Sequence, residues 1–444
     1  MSLMSTINEI TRPYGRRPHA MHIDSIRLVN FRCHKDLTVN FNDRFNVIVA
    51  TNGGGKTSLL RAVCAALAAP LSFVGIGTPN QLENDSVRLD TQVHAGRYRF
   101  EDAYPVDLHV QAKSADHPVE WTLRKESAVQ PAALLGHQAT GLFQQWLSGA
   151  NAAPLPVFAF YAAGRVWPSS QTSHLQAAVS RNSRLDGYDF WWNASQAASL
   201  SIWLVARCLE RMQTATEIGG RFDDVRDDEL ALVNSALAAV LENFSGIRFD
   251  MKRSALLVEW SNGSEPNLFN DLSDGQRSMI FLIADIARRI CLLNPQLGME
   301  ALQKTHGVIL IDELDVHLHP HWQRLLVRGL RAAFPSVQFI TASHSPQIIG
   351  ELHPDEIILL AREGVTQPQV SYGLTSSQVL QDIMGAEART PLVEDKLEEI
   401  FNLIQQGLLD QARASLDGLA RVANGVPELD KARSALKRRE IIGR

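Results

Sequence analysis

The sequence of 444 residues has few cysteines, little net charge and no long apolar run. Its four cysteines form no CxxC pair, so it encodes neither a disulfide framework nor a cysteine-type zinc site, and a reducing, cytoplasmic compartment is expected. Lysine and arginine total 43 against 48 aspartate and glutamate residues, which gives a net charge of −5. This balance excludes a strongly basic nucleic-acid coat but is compatible with a local basic groove.

Membrane spans and secretory leaders are also missing from the pattern. The most apolar stretch, residues 62–77, is about 16 residues long and contains Pro70, whereas a helix that spans a bilayer needs about 20. Residues 1–21 contain arginines but no apolar core of a signal peptide, and we expect them to form a flexible N-terminal extension. With 45% hydrophobic and 20% charged residues, the composition is that of a core-forming protein rather than a permease or a secreted protein.

The apolar pattern predicts an α/β protein whose two sections share one sheet and are separated by an insertion. Buried strands are expected at 45–50, 157–162 and 307–312, and Pro70 is expected to close the helix after the first of them. Alternating residues near 86–126 predict an antiparallel hairpin. The predicted regions are an α/β head (22–165 and 245–372), a helical insertion (166–244) and a C-terminal helical segment (373–444).

A glycine-rich motif, A-T-N-G-G-G-K-T from Ala50 to Thr57, stands between a buried strand and a helix. Small residues let consecutive backbone N–H groups curl around a phosphate, and the helix N-terminus adds favourable partial charge. Lys56 can then reach the β- and γ-phosphates, and the Thr57 hydroxyl can ligate Mg²⁺. Ala50 replaces the first glycine of the usual G-x-x-x-x-G-K-[ST] pattern, but it is small enough to keep the loop. The expected nucleotide-binding residues of the loop are Asn52, Gly53, Gly54, Gly55, Lys56, Thr57 and Ser58.

A second motif, V-I-L-I-D-E, is an apolar run that ends in the carboxylates of Asp312 and Glu313. A buried strand would deliver Asp312 to the magnesium ion. Glu313 would then lie beside the attacking water, which it could orient or activate. Taken alone, the same letters also fit a strand that ends at the surface in two solvated acids.

Two shorter motifs flank this strand in the sequence. L-S-D-G-Q opens an amphipathic helix and contains Ser273, Gly275 and Gln276, while Ser343-His344 follows the apolar strand V-Q-F-I-T-A. From that position the imidazole of His344 could touch a γ-phosphate. In isolation the serine would be an ordinary helix cap and the histidine a structural one.

Together and in this order, the motifs resemble those of the ATP-binding-cassette (ABC) ATPases, in particular the SMC/RecF-like branch rather than the transporter branch. L-S-D-G-Q resembles the family signature, Asp315 to His319 falls where the D-loop lies, and His344 matches the switch histidine. N-F-R-C-H-K-D-L resembles the N-terminal hairpin of that branch. The resemblance implies an α/β fold, namely an ABC/SMC-like P-loop ATPase head with an antiparallel β subdomain, a helical insertion and a C-terminal helical tail.

The same resemblance implies ATP and Mg²⁺ as ligands. It assigns catalysis to Glu313, His344 and Lys56 and the metal to Thr57 and Asp312. It also implies that the signature residues cap ATP held by the other subunit, so that the active unit is a head-to-head homodimer with two shared nucleotides, able to assemble further. The signature residues in question are Ser273, Gly275 and Gln276.

The glutamine of the family's Q-loop is not evident. The strand V-F-A-F-Y-A is followed instead by Ala163-Gly164-Arg165. Arg165 would either substitute for the glutamine or form a structural ion pair, and both interpretations stay open.

A narrower resemblance is to the compact bacterial AAA-type ATPases of anti-phage systems such as Septu and the retrons. It is carried by Y-A-A-G-R-V-W at 161–167, L-S-D-G-Q-R-S-M, I-D-E-L-D-V-H-L-H-P-H-W-Q and S-Q-V-L-Q-D-I-M-G-A-E-A-R. In that family the ATPase assembles with a separate HNH nuclease and controls it. Sustained heptads, a CxxC hook and a D-x-D metal triad after His344 are lacking, so neither long coiled-coil arms nor an intrinsic nuclease is expected.

Three further groups of residues have two interpretations each. Alternating histidines suggest a metal site, but packing within the D-loop is favoured. Adjacent aromatic residues could stack on bases, but a buried core or a dimer interface is favoured. Basic residues near the C-terminus could meet phosphate backbones, but a solvated helix face is favoured. The groups are His317, His319 and His321; Phe190, Trp191 and Trp192; and Lys431, Arg433, Lys437, Arg438 and Arg439.

The sequence therefore predicts an Mg-ATP-hydrolysing ATPase that dimerises head to head and regulates a separate effector, an HNH-type nuclease in anti-phage defence. Two alternatives stay open, a RecF-like repair ATPase that acts directly on DNA and an ATP-switched adaptor with little turnover. Nucleic-acid contact would be confined to local basic patches, and no membrane partner is expected.

Overall fold

A computed structural model describes residues 21–77, 82–94, 97–114, 117–148, 154–164, 183–196, 199–361, 364–387 and 390–442. The chain falls into two compact units, Met1–Gly373 and Leu374–Arg444. Residues 1–20 of the expected N-terminal extension lie outside the described residues, and so does Arg165. Within the described ranges, the helices lack the combination of length and apolarity that crossing a bilayer requires.

Strands and helices are numbered here along the described residues. The strands are β1 His22–Phe31, β2 His34–Asn40, β3 Phe45–Val49, β4 Arg88–His94, β5 Arg97–Ala103, β6 Val106–Ser114, β7 His117–Lys125, β8 Ala133–Leu135, β9 Val157–Tyr161, β10 Phe244–Asp250, β11 Ala255–Trp260, β12 Asn267–Leu268, β13 Gly307–Ile311, β14 Val337–Ala342, β15 Ile357–Ala361 and β16 Gly364–Thr366. The helices of ten or more residues are α1 Lys56–Phe73, α2 His137–Ser148, α3 Ser199–Glu217, α4 Glu229–Ala238, α5 Asp274–Leu293, α6 Pro320–Ala333, α7 Pro391–Gln406, α8 Leu409–Val422 and α9 Pro427–Ile442.

Five parallel strands and one antiparallel edge strand form the central sheet, in the order β16-β15-β3-β14-β13-β9. The residues of β3, β14, β13 and β9 are buried throughout, as expected for parallel strands that are covered on both faces. β3 comes from the N-terminal section of the chain, yet it lies between β14 and β15 from the C-terminal section. The prediction that the two α/β sections share one sheet is therefore confirmed.

A second, antiparallel sheet contains five strands in the order β2-β1-β6-β7-β8. The hairpin predicted near 86–126 is present as β6 and β7, which pair from Val106↔Lys125 to Ser114↔His117. Buried residues alternate with more accessible ones along β6, so one face of this hairpin contributes to the core. The same range also contains a separate two-stranded sheet, β4 and β5, which the sequence did not distinguish.

Helix α1 continues through Pro70, so the prediction that this proline closes the helix is wrong. A proline inside a helix donates no N–H to the carbonyl four residues earlier, which here belongs to Ala66. The indole N–H of Trp121 on β7 donates to that carbonyl at 2.8 Å, so the acceptor stays satisfied in the buried interior. The replacement donor comes from a residue 55 positions away, which a local pattern does not reveal.

The second unit is a three-helix bundle formed by α7, α8 and α9. Apolar residues along one side of α7 and of α8 pack with residues of α9. Gly407 joins the first two helices with a φ of 79°. On α9, Arg433 pairs with Asp430, and Arg439 donates to the Gln405 carbonyl. The core of the bundle consists of Leu397, Ile400, Ile404, Ala412, Leu416, Leu419, Leu429, Ala432 and Leu436.

Candidate nucleotide-binding site

The parallel strands of the central sheet bring three of the predicted motifs to one edge. Carboxyl ends of parallel strands lie at the same edge, which is where ligands bind in open α/β sheets. The loop 50–55 follows β3, Asp312 and Glu313 follow β13, and Ser343 and His344 follow β14. The order of the strands therefore places these motifs side by side.

The glycine-rich loop depends on close packing around Gly54 and Gly55. Gly55 has a φ of 90°, and a Cβ on it would lie 2.5 Å from the His34 imidazole and 2.8 Å from the Cys33 sulfur. A Cβ on Gly54 would lie 2.7 Å from the Cβ of Ala50. Ala50, which stands where the usual pattern has glycine, is thus accommodated because residue 54 has no side chain.

Lys56 is the first residue of α1 and is only 8% exposed. Its ammonium donates to the Ala50 carbonyl at 3.3 Å, so the side chain folds back over the loop. Burial lowers the pKa of Lys56, while the charges of Asp312, Glu313 and Asp315 act to raise it. The cation of the loop therefore stands within electrostatic reach of the acids that follow β13.

A hydrogen bond joins the first two motifs directly. The Thr57 hydroxyl donates to Asp312 Oδ2 at 2.8 Å. Asp312 is 2% exposed, and its backbone N–H donates to the Tyr161 carbonyl at 2.8 Å, which holds it at the end of β13. Hydroxyl and carboxylate oxygens are hard donors that suit Mg²⁺, which in phosphate sites takes few protein ligands. Thr57 and Asp312 therefore fit a magnesium ion.

Glu313 has an unusual backbone conformation. Its φ is 48°, in the left-handed region that residues other than glycine seldom adopt. Its side chain is exposed, whereas that of the preceding Asp312 is buried. Strained positions of this kind concentrate at active sites. Here the left-handed turn gives two consecutive carboxylates different surroundings, one buried beside Thr57 and one open to water.

Asp315 connects the loop after β13 to the end of β14. The Ser343 hydroxyl donates to Asp315 Oδ1 at 2.6 Å, and the His344 N–H donates to the same oxygen at 3.3 Å. Burial lowers the pKa of His344 from its ordinary value of about 6.5, and the charge of Lys56 lowers it further against the opposing carboxylates. The imidazole is therefore neutral at pH 7, with one donor and one acceptor nitrogen.

The L-S-D-G-Q motif forms the start of α5. The Ser273 side chain accepts from the Gln276 N–H at 3.3 Å, and Gln276 Oε1 accepts from the Ser273 N–H at 3.1 Å, which makes a reciprocal capping box. Ser273 is exposed. Gly275 lies so close to the backbone carbonyl of His317 that a Cβ would overlap it. The motif thus contacts its own helix and the D-loop segment of the same chain.

The remaining histidines and aromatic residues have ordinary packing contacts. His319 caps α6, where its Nδ1 accepts from the His321 N–H at 3.4 Å, and the ring of His321 lies 3.1 Å from the Glu242 carboxylate. Trp191 is fully buried, whereas Phe190 is 53% exposed. These are the contacts of a helix cap, a surface pair and a core aromatic residue with an exposed neighbour.

One contact near the site was not predicted from the motifs. The hydroxyl of Tyr161, the last residue of β9, donates to Asp285 Oδ2 on α5 at 2.9 Å. The sequence held a signal for a buried ion pair here, because Asp285 interrupts an apolar helix face and Arg288 and Arg289 follow at i+3 and i+4. The partner on β9 had no such signal.

This arrangement defines the class of protein. A buried parallel strand leads into a glycine-rich loop at a helix N-terminus. The lysine that follows folds back onto the loop, and the threonine after it donates to a buried aspartate at the end of β13, a strand of the same sheet. These are the parts of a P-loop nucleotide-binding site.

Comparison with known families supports this classification. A family model described as "AAA domain" matches residues 25–135, which include the P-loop. A second model, described as "AAA domain, putative AbiEii toxin, Type IV TA system", matches residues 218–350, which include the signature, Asp312 and His344. The two matches together contain all four motifs.

Named relatives point to the same group. The chain is 37% identical over 185 residues to the "Retron Ec83 probable ATPase" of Escherichia coli, a match that covers 40% of the chain and spans about a third of the relative, 33%. It is 24% identical over 394 residues to "Septu protein PtuA" of Bacillus thuringiensis, which covers 85% of the chain and 87% of the relative. A solved SMC head bound to the C-winged helix domain of ScpA aligns with 78% of the chain and 97% of that structure, at 14% identity and a TM-score of 0.48.

The predicted resemblance is therefore confirmed. Two segments of the chain match AAA-domain models, and the chain is similar to the retron probable ATPase, to Septu PtuA and, over a shorter span, to SMC proteins.

The packing around Gly55 generates a prediction about nucleotide binding. Gly55→Ala should weaken ATP binding at least about tenfold, because the new Cβ meets His34 and Cys33 and the backbone is held at positive φ. Gly53→Ala is the matched control, since Gly53 has a φ of 78° but nothing within 4 Å of a Cβ. Titration with a fluorescent ATP analogue measures both. Equal losses in the two variants would show that the contacts at residue 55 do not matter.

Proposed function

We propose that this protein is an Mg-ATP-hydrolysing, SMC/RecF-like ATPase whose two copies meet head to head around ATP. We propose further that it regulates a separate effector, an HNH-type nuclease, in anti-phage defence. The observation that carries the ATPase assignment is the 2.8 Å hydrogen bond between Thr57 and Asp312, which joins the phosphate loop to the acidic strand end. The AAA-domain matches support the same assignment.

Each residue of the site has a role in this reaction. The N–H groups of the loop 52–58 and the Lys56 ammonium bind the β- and γ-phosphates, and Thr57 and Asp312 hold Mg²⁺. Bound Mg²⁺ offsets the charge on the phosphate oxygens. Glu313 is the exposed carboxylate next to the metal ligand, and it orients the attacking water. His344 follows β14 at the same edge of the sheet, and a ring N–H there can donate to a γ-phosphate oxygen.

The signature supports a shared site. Ser273 is exposed at the start of a 20-residue helix, where the backbone N–H groups carry positive partial charge. Its present contacts are those of a cap within its own chain, yet an exposed serine at a helix N-terminus can also bind phosphate oxygens. We place these oxygens on the ATP of the second copy, which gives a symmetric dimer with two composite sites.

The partner and the biological setting rest on similarity. The match to PtuA covers 85% of the chain, and the retron ATPase match is stronger over a shorter span. The resemblance to the ATPases of anti-phage systems implies a separate HNH nuclease that the ATPase controls. We infer the same division of labour here, with ATP binding or hydrolysis by this chain setting the activity of the nuclease.

Substitution of the proposed water-orienting residue tests the catalytic assignment. Glu313→Gln should leave the Kd for ATP within about threefold, because Lys56, Thr57 and Asp312 remain, but should lower kcat about 100-fold or more. Glu300→Gln, which removes an exposed carboxylate that pairs with Lys304, is the matched control and should be unchanged. Phosphate release and nucleotide titration measure the two quantities. Turnover of Glu313→Gln at the wild-type rate would refute the assignment.

Mixing two inactive variants tests the shared site. Lys56→Ala and Ser273→Ala should each abolish most turnover, because each removes one half of both composite sites. A 1:1 mixture should regain up to about a quarter of the wild-type rate, since half of random dimers are mixed and each has one intact site. Recovery at this level would support the head-to-head dimer, and no recovery would contradict it.

The mixing test needs a control for the loss of a helix cap, which costs about 1 kcal/mol of stability. Thr375→Ala is suitable, because Thr375 makes a capping box with Gln378 like that of Ser273 with Gln276. It should leave the rate unchanged.

Reconstitution tests the effector. The tagged Glu313→Gln chain, which should retain ATP, is purified from its host with and without ATP, and co-purifying proteins are identified by mass spectrometry. We expect an HNH nuclease whose cleavage of plasmid DNA, measured with purified components, changes at least about tenfold between the ATP-bound and ATP-free chain. Cleavage that is the same in both states would contradict the proposed control.

A further inference from the structure

Helix α5 contacts two segments that adjoin Asp312, namely the loop after β13 and the end of β9. At its start, Gly275 packs against the His317 carbonyl in the segment that follows Asp312 and Glu313. Further along, Asp285 accepts the hydroxyl of Tyr161 at 2.9 Å. The carbonyl of the same tyrosine accepts the N–H of Asp312 at 2.8 Å. Tyr161 therefore touches the signature helix with its side chain and the metal-ligand residue with its backbone.

The second contact is a buried charge cluster. Asp285, Arg289 and Tyr161 are 0% exposed, and Arg288 is 3% exposed. Arg288 donates to Asp285 Oδ1 at 2.8 Å and Arg289 to Oδ2 at 2.7 Å. Burial alone would raise the pKa of Asp285, but the two arginines outweigh it and keep the pKa below its ordinary value. The carboxylate is therefore ionised and accepts from three side chains on two elements.

The cluster also reaches a third element. Arg289 Nη1 donates to the carbonyls of Gly187 and Asp189, each at 3.0 Å, and thereby holds the segment 184–190. Buried ion pairs of this kind contribute little net stability, because the cost of removing charges from water offsets their attraction. They do fix geometry, since each partner has directional hydrogen bonds. A geometric role for this cluster is therefore better supported than a stabilising one.

We infer that Tyr161 and Asp285 are positioning residues that couple the two nucleotides of the proposed dimer, an inference that rests on that dimer. In each copy, Asp312 serves the ATP of its own P-loop, and Ser273 serves the ATP of the other copy. The Tyr161–Asp285 hydrogen bond sets the signature helix against the end of β9, to which Asp312 is also bonded. Occupation of one site therefore determines where the chain presents Ser273 to the other site.

Removing only the hydroxyl tests this inference. Tyr161→Phe should keep the ring and the fold, leave the Kd for ATP within about twofold, lower kcat about tenfold and bring the Hill coefficient for ATP close to 1. Tyr188→Phe is the matched control, because Tyr188 is also buried and its hydroxyl donates to a carbonyl, that of Pro156, at 2.7 Å. Both variants lose one buried hydrogen bond, so thermal melting should show similar losses of stability.

Four outcomes are distinguishable. A fall in kcat and Hill coefficient for Tyr161→Phe but not Tyr188→Phe supports the inference. If kcat and the Hill coefficient are the same in both variants, the inference is overturned. The proposed function still holds in that case, provided that the wild-type enzyme is cooperative. A wild-type chain that hydrolyses ATP without cooperativity overturns the coupling alone, because the mixture of Lys56→Ala and Ser273→Ala decides separately whether the site is shared. A wild-type chain that does not hydrolyse ATP overturns the proposed function and the coupling with it.

The mixed dimer separates coupling from purely local support of Asp312. In a dimer of Lys56→Ala with Ser273→Ala chains, the single intact site uses Ser273 of the first chain and Asp312 of the second. Tyr161→Phe is added to one chain at a time. Coupling predicts a lower rate for either placement, because the tyrosine positions both groups. A loss only when the substitution accompanies Ser273→Ala would show that Tyr161 supports Asp312 alone and would overturn the inference.

Discussion

The parallel alignment of β3, β14 and β13 is the constraint on which the rest of the site depends. Because parallel strands expose their carboxyl ends at one edge, the loop after β3 and the acids after β13 meet although about 250 residues separate them. Parallel strands also require burial on both faces, which the apolar sequences of these strands satisfy. Once the strand order is set, the hydrogen bond between Thr57 and Asp312 needs no flexible adjustment, since Thr57 lies in the first turn of α1 and Asp312 is the first residue after β13.

Helix α5 combines a local and a long-range role. Within one chain Ser273 is a helix cap, and capping alone is enough to explain a serine at this position. The glycine two residues later cannot be explained by capping, because its lack of a side chain permits the contact with the His317 carbonyl. The same helix buries an aspartate between two arginines, a cost that a purely apolar helix would avoid. Through these three features, α5 carries the exposed signature and contacts both the D-loop and β9.

Much of this site could be predicted from the sequence, because its parts are local. A glycine-rich loop between a strand and a helix, and an apolar strand that ends in two acids, are patterns of a few residues whose chemistry follows from their order. The central sheet was also predictable, since buried parallel strands appear as uninterrupted apolar runs. The shared sheet follows from the two motif-bearing sections having to meet.

What the sequence did not reveal depends on contacts between distant residues. The continuation of α1 past Pro70 requires an indole donor from β7, and the role of Tyr161 requires a carboxylate on α5. The sequence spacing of apolar and polar residues does not identify either partner, because a hydrogen bond across the core depends on tertiary packing rather than on periodicity. The left-handed conformation of Glu313 was hidden for a related reason, as glutamate carries no compositional sign of positive φ.

The bond between Trp121 and Ala66 also bears on how this protein can be divided. Helix α1 begins at the phosphate loop and contains Pro70, and the Ala66 carbonyl that this proline leaves without a helical donor depends on Trp121 of the β6–β7 hairpin. A fragment that kept the loop and the helix but lacked the hairpin would leave that carbonyl bare and the apolar flank of the helix uncovered. The antiparallel sheet is therefore not a detachable module, and the smallest piece able to fold around the phosphate loop must include it.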